Sequence, residues 1–266
     1  MHIQRGAWAE INLDAVAHNV QMAKANLKPT TKLCAVVKAD AYGHGAVRVA
    51  QEAARNGADF FAVALLQEGV KLREAGIETP ILVLGSMLPE VAEICVRYDI
   101  SHAVFDEERL YALNAAALKL HTKAKIHIKI DTGMHRIGVH VRDAGRFAKL
   151  AASLPGIYIE GVFSHFATAD ADDKQYAAYQ FERFQEALRL IEAEGVHIPI
   201  RHIANSAALT ELQEYQLDMV RQGITLYGLH PAHMIDCYKD FEPVMTVKTQ
   251  VAFVKTLPPG ETIGYG

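Results

Sequence analysis

The sequence predicts a (β/α)8 barrel followed by the start of a β-rich C-terminal domain, and three observations lead there. Eight short apolar runs rich in β-branched residues alternate with stretches in which apolar residues fall three and four apart. Strands buried on both faces read as nearly continuous apolar runs, as Ile81-Leu82-Val83-Leu84 does, which favours a parallel sheet with helices outside it. After Leu229 the helical stretches stop and the pattern becomes strand-like.

Taken in order, the first run is Leu33 to Val37, and helical spacing follows over 46–56. Phe60 to Leu65 precedes a predicted helix at 66–75, Ile81 to Leu84 one at 89–98, and Ala103 to Phe105 one at 107–119. Ile126 to Ile130 leads to 143–153 and Ile157 to Phe163 to 174–194, after which Ile200 to Ile203 and Met219 to Leu226 complete the set. An open doubly wound sheet uses the same local grammar, but eight units in about 200 residues favour closure into a barrel. Neither a G-x-G-x-x-G nor a P-loop string occurs, so the usual dinucleotide and nucleoside-triphosphate fingerprints are missing. Residues 1–230 are therefore assigned to the barrel with an N-terminal strand, and 231–266 to a linker and a truncated β domain. That domain opens at His230-Pro231, alternates from about Val244 to Lys255 and breaks off at Gly264-Tyr265-Gly266, so a fragment of a longer protein is expected.

Composition narrows the function classes. The formal net charge is -4 and the 27 basic residues are dispersed, which gives neither nucleic acid nor an anionic membrane a surface to bind. Cys34, Cys95 and Cys237 are odd in number and far apart, against both a disulfide framework and close zinc-binding pairs. The N-terminus has no long apolar run, and a cytoplasmic location is expected.

Polar residues collect where the predicted strands end: Lys38 and Tyr42 after the first, Arg136 after the fifth, His165 after the sixth, Asn205 and Ser206 after the seventh, and Arg221 within the eighth. In such barrels the C-terminal rim of the strands holds the active site, so these distant residues are expected to meet. Lys38 would point into the mouth. A desolvated lysine there is a usable nucleophile and base, as Schiff-base chemistry requires; the plain alternative is an ion pair with Asp40.

The stretch Ala35-Val36-Val37-Lys38-Ala39-Asp40-Ala41-Tyr42-Gly43-His44-Gly45 closely resembles the cofactor-lysine motif of alanine racemases. Four more stretches match in the family's order: Ile130 to Gly138, Ser164 to Asp170, Ala204 to Ala208, and Val220 to Gly228. The resemblance covers essentially the whole chain. It implies an enzyme that interconverts L- and D-alanine with pyridoxal 5'-phosphate (PLP), works as a homodimer, and supplies D-alanine for cell-wall peptidoglycan.

The resemblance also implies roles. Lys38 bears the cofactor. Arg221 meets its pyridine nitrogen, where a guanidinium that cannot give up a proton leaves the ring a weaker electron sink. Tyr42, Ser206 and the backbone N–H groups of Gly223 and Ile224 take the phosphate, and His165 and Asn205 are counted with the cofactor-binding residues. Arg136 approaches the cofactor's phenolic oxygen and the substrate carboxylate. Lys129 matches a lysine carbamylated in some relatives; an ordinary lysine beside Asp131 is the alternative.

Racemisation needs a base on each face of the planar carbon that has lost its proton. Lys38 would serve one face and Tyr265 of the partner subunit the other, its phenol aided by positive charge on His165 and Arg221. Plain readings stand beside these: His165 as a structural rim histidine, Arg221 paired with Asp218, and Gly43-His44-Gly45 as a tight turn rather than a phosphate cradle. His165 with Asp170, Asp172 and Asp173 could suggest a metal, but acids just before a helix stabilise its positive end and no metal is expected. Competing functions are a racemase of another small amino acid, such as serine, a non-catalytic PLP-binding barrel, and a barrel for some other phosphorylated ligand.

Overall fold

A computed structural model describes residues 6–231 and 236–265. Strand β1 (Ala7–Ile11) precedes a helix, Leu13–Ala25, that is not among the predicted elements. Asn12 caps this helix, its side chain accepting from the N–H groups of Asp14 at 3.0 Å and Ala15 at 3.3 Å. Its inner face buries Val16, Val20 and Ala23.

The barrel follows. Its strands are β2 (Lys32–Val36), β3 (Phe60–Val63), β4 (Ile81–Val83), β5 (Ser101–Val104) and β6 (Ala124–Asp131), with the short β7 (Val139–His140) paired to the end of β6. The last three are β8 (Ile157–Phe163), β9 (Ile200–His202) and β10 (Met219–Gln222). All pair in parallel in the order β10-β2-β3-β4-β5-β6-β8-β9. The seam between β9 and β10 carries two backbone hydrogen bonds, Asp218 N–H to Arg201 O and Arg221 N–H to Ala204 O, each 3.1 Å. Eight parallel strands thus make a nearly closed barrel, wrapped by helices at 46–55, 66–74, 92–97, 107–119, 144–153 and 175–193.

Two apolar layers hold it together. Cys34, Val36, Phe60, Ala62, Leu82, Ile200 and Met219 fill the interior, while a larger set packs between sheet and helices. At about 25 cal/mol per Å² of apolar surface removed from water, these layers provide most of the drive to fold.

Two expectations need correction. The eighth strand ends at Gln222 rather than Leu226, because Gly223 and Thr225 donate their N–H groups to Ser206 Oγ instead of to a neighbouring strand, and residues 224–227 form a 3-10 turn. The strand-like alternation to Lys255 becomes a strand only at β11 (Met245–Thr249), which pairs antiparallel with β1, outside the barrel. Beyond it Val251, Phe253 and Val254 meet no neighbouring strand and stay exposed. No helix among the described residues is long and apolar enough to cross a membrane.

Candidate active site

The rim at the strand C-termini encloses a cavity of about 580 Å³, reached by Lys38, Tyr42, Arg136, His165, Asn205 and Ser206, and also by Lys129, Arg221, Gly223 and Ile224. Residues separated by nearly 190 positions in sequence therefore share one wall. Tyr265 does not join them and is fully exposed.

Lys38 leaves the end of β2 half-buried, its amine 5.7 Å from the centre of the Tyr42 ring. The four residues after it, Ala39 to Tyr42, all lie in the left-handed region, with φ between 51° and 56°. For residues with a Cβ this costs about 1–2 kcal/mol each. Compensation comes from a dense set of hydrogen bonds. Ala39 N–H donates to Glu68 Oε1 at 2.5 Å, and the other oxygen of Glu68 accepts from Ala64 and Leu65 at the end of β3. Asp40 accepts from Ala46 N–H at 3.0 Å and pairs with Lys71 at 3.1 Å, so it is not the partner of Lys38. Gly43 and Gly45, with φ of 86° and 90°, complete a tight turn into the helix at 46–55.

Opposite this turn stands a polar cradle. Ser206 Oγ accepts from Gly223 N–H at 2.8 Å. A Cβ on Gly223 would lie 3.4 Å from Tyr42 Oη and 3.7 Å from Ser206 Oγ, so the missing side chain opens a space facing two hydroxyls. Burial pushes the Tyr42 phenol up, which keeps it a donor. Asn205 spends its side-chain oxygen on capping the following helix through Ala208 N–H at 3.1 Å.

Arg221 is buried, 3% exposed, at the centre of the interior network. Its Nη1 donates to His202 Nδ1 at 2.7 Å, and its Nη2 to Ser164 O, His165 Nδ1 and Ile203 O at 2.8, 3.0 and 3.1 Å. Asp218 instead pairs with Arg201 at 2.6 Å, so the simple Arg221–Asp218 pair is not formed. Burial, and less so Arg136, draws the Arg221 guanidinium down to about 10, which leaves it charged at neutral pH.

His165 differs from expectation. Burial first, then the charges of Arg221, Lys129, Arg136 and Lys38, hold it well below the usual histidine range. It is neutral at physiological pH and adds no positive charge to the site. The deeply buried amine is Lys129, 4% exposed, whose Nζ lies 4.8 Å from the Phe163 ring centre. Burial, then Arg221 and Arg136, push it well below the ordinary lysine value, against the smaller pull of Asp131. Arg136 stays exposed at the lip, on the loop that Gly138 turns at φ 136°, where a Cβ would meet Asp131 N at 2.6 Å. Asp173 accepts from Gln175 N–H at 2.8 Å at the start of the helix at 175–193, which accounts for that acid. Among the described residues no three His, Cys, Asp or Glu side chains are grouped to hold a metal ion.

The family model for the alanine racemase N-terminal domain matches residues 11–231. The chain belongs to the alanine racemase family, a family of amino-acid racemases. The alanine racemase of Desulfovibrio desulfuricans is 46% identical over 262 residues, covering 98% of this chain and 71% of that protein. That of Halothermothrix orenii is 45% identical over 99% of this chain and 70% of its own length. The solved alanine racemase of Clostridium difficile 630 superposes with a TM-score of 0.93 at 38% identity, covering all of this chain and 70% of that one. Against this racemase barrel, the residues passed over in the sequence are Phe163 on the cavity wall and, beneath it, His202, His127 and Glu160.

Proposed function

We propose that this racemase acts on alanine with pyridoxal phosphate bound through Lys38. The observation behind this reading is the cavity itself, which sets one lysine amine, a two-hydroxyl cradle with a bare glycine face, and a buried arginine around a single space. Those donors fit the cofactor: Tyr42, Ser206 and the N–H of Ile224 suit a phosphate dianion, and Arg221 suits a ring nitrogen that only accepts. Bound there as a Schiff base, the cofactor would supply the electron sink that makes an amino acid's Cα proton removable.

The chain's own groups do the rest. With the cofactor bound, Lys38 would take or return the Cα proton on one face of the substrate. Tyr265 of the partner subunit serves the other face in a homodimer, a reading supported by its full exposure and by its not lining the cavity of its own chain. Arg221 provides the positive charge beside that phenol, and His165 a neutral N–H. Arg136, at the lip, offers a planar fork to the substrate carboxylate. Lys129, whose amine burial holds well below the ordinary lysine range, attacks carbon dioxide through Nζ, loses a proton and becomes a carbamate anion that the positive charges of Arg221 and Arg136 favour. In the cell the product would be D-alanine for wall synthesis.

The test is substrate profiling of the holoenzyme by chiral chromatography. Conversion of L-alanine to its enantiomer, with serine slower, supports the reading. Faster turnover of serine would reassign the substrate, and no turnover of any amino acid by a protein that binds the cofactor would favour a non-catalytic barrel.

A further inference from the structure

Below the cavity, a line of polar side chains crosses the apolar barrel interior. His202 Nε2 lies 2.9 Å from His127 Nδ1, and His127 Nε2 lies 3.1 Å from Glu160 Oε2, which also accepts from Ser101 Oγ. Both imidazoles are fully buried and Glu160 is 13% exposed. The fold makes room for them. A Cβ on Gly161 would stand 2.4 Å from His127 Nδ1, and the register of β6 against β8 shifts between Ile126 and His127. Phe163 stacks on His202 with ring centres 4.9 Å apart, closing the side of the line.

The direction of every hydrogen bond follows from one end. A guanidinium only donates, so His202 Nδ1 accepts from Arg221. A neutral imidazole has one donor and one acceptor, so the His202 proton is on Nε2 and His127 Nδ1 accepts it. The His127 proton is then on Nε2, aimed at a group that must accept. A second proton on either ring would set donor against donor somewhere in the line. His202 is indeed held well below the usual histidine range, by burial first and then by Arg221. Burial alone would push the Glu160 carboxyl up, but the hydrogen bonds it accepts from His127 and Ser101 bring it below its ordinary value.

We propose that Glu160 is a positioning residue for this racemase: it terminates a one-way line of donors, Arg221 to His202 to His127 to Glu160, that fixes the orientation of the Arg221 guanidinium. The carbonyls of Ser164 and Ile203 hold Nη2, whereas Nη1 is held by His202, whose own orientation depends on the acceptor two residues further down. Its bearing on the cofactor rests on the reading that Arg221 faces the cofactor ring.

The first test needs no cofactor. Nitrogen-15 NMR of histidine-labelled protein, with signals assigned through His127→Gln and His202→Gln, should show both residues as Nε2–H tautomers. An Nδ1–H form at either would overturn the proposal. In the second, the cofactor dissociation constant is measured for two variants. Glu160→Gln keeps an acceptor oxygen and should retain both tautomers and a constant within about twofold of the parent. Glu160→Leu should change the His127 tautomer, weaken binding roughly tenfold, as loss of an outer supporting contact does, and shift the bound cofactor's absorption maximum. A folded Glu160→Leu protein indistinguishable from the parent would contradict the proposal; should it not fold, the parent tautomers and Glu160→Gln still decide. Protein with both Nε2–H tautomers that takes up no cofactor would defeat the functional reading alone and leave the line of donors standing.

Discussion

Arg221 donates from Nη2 to Nδ1 of His165 across 3.0 Å. Because a guanidinium cannot accept, the His165 proton must sit on Nε2. The ring is therefore a neutral donor held by a cation, and the positive charge attributed to it on sequence grounds belongs to Arg221 instead.

Arg221→Lys should destabilise the protein. A single ammonium cannot reach two carbonyls and two imidazoles at once, and each buried acceptor left unpaired costs about 1–3 kcal/mol. We expect a loss of roughly 2–4 kcal/mol in urea unfolding. A midpoint equal to the parent's would show that the network contributes nothing to stability.

Acid should weaken the fold before the carboxylates titrate. His165 and His202 are held well below the usual range and His102 is pushed down to about 4, in each case chiefly by burial. The unfolded chain takes up protons at these positions near pH ~6.5 while the native protein does not, so stability rises with pH through that window. Three such groups give a loss of roughly 4 kcal/mol on going from about pH 7.5 to about pH 5.5. Unfolding curves at the two pH values measure it, and a flat profile would contradict the assignment of neutral rings.

Gly223→Ala separates folding from binding. The added methyl lies at ordinary contact distance from Tyr42 Oη, so stability should stay within about 1 kcal/mol of the parent. The methyl projects into the two-hydroxyl cradle, and cofactor affinity should fall tenfold or more. Unchanged affinity, read by fluorescence titration, would place the phosphate elsewhere.

Lys129 should carry a carbamate when the protein is kept in bicarbonate. Labelled bicarbonate would then give a carbamate carbon signal that vanishes in Lys129→Met. Persistence of that signal in the variant, or its absence from the parent, would return Lys129 to an ordinary buried amine.

The barrel was legible because its strands are short, continuous apolar runs whose count and order need no long-range information. The rim residues were legible for the same reason, since a polar residue just past such a run can only face the mouth. Other features left weaker traces. The helix at Leu13–Ala25 was readable from Asn12 and the spacing of Val16, Val20 and Ala23, but no strand run preceded it to draw attention. Nothing in Ala39-Asp40-Ala41-Tyr42 announces a left-handed turn, because tertiary hydrogen bonds to Glu68 and Lys71 impose it. His127, His202 and Glu160 stayed hidden because a polar residue inside a strand shows its direction only once the register is known, and the shift at Ile126/His127 obscures that register.

Whether Lys38 carries the cofactor is decided by borohydride trapping. Protein incubated with pyridoxal phosphate, reduced and digested should yield one peptide bearing the phosphopyridoxyl group, on Lys38, and Lys38→Ala should lose both that label and the visible absorption. Label on Lys129 or another lysine, or a hydroxylamine-sensitive chromophore persisting in Lys38→Ala, would show that the cofactor is held elsewhere.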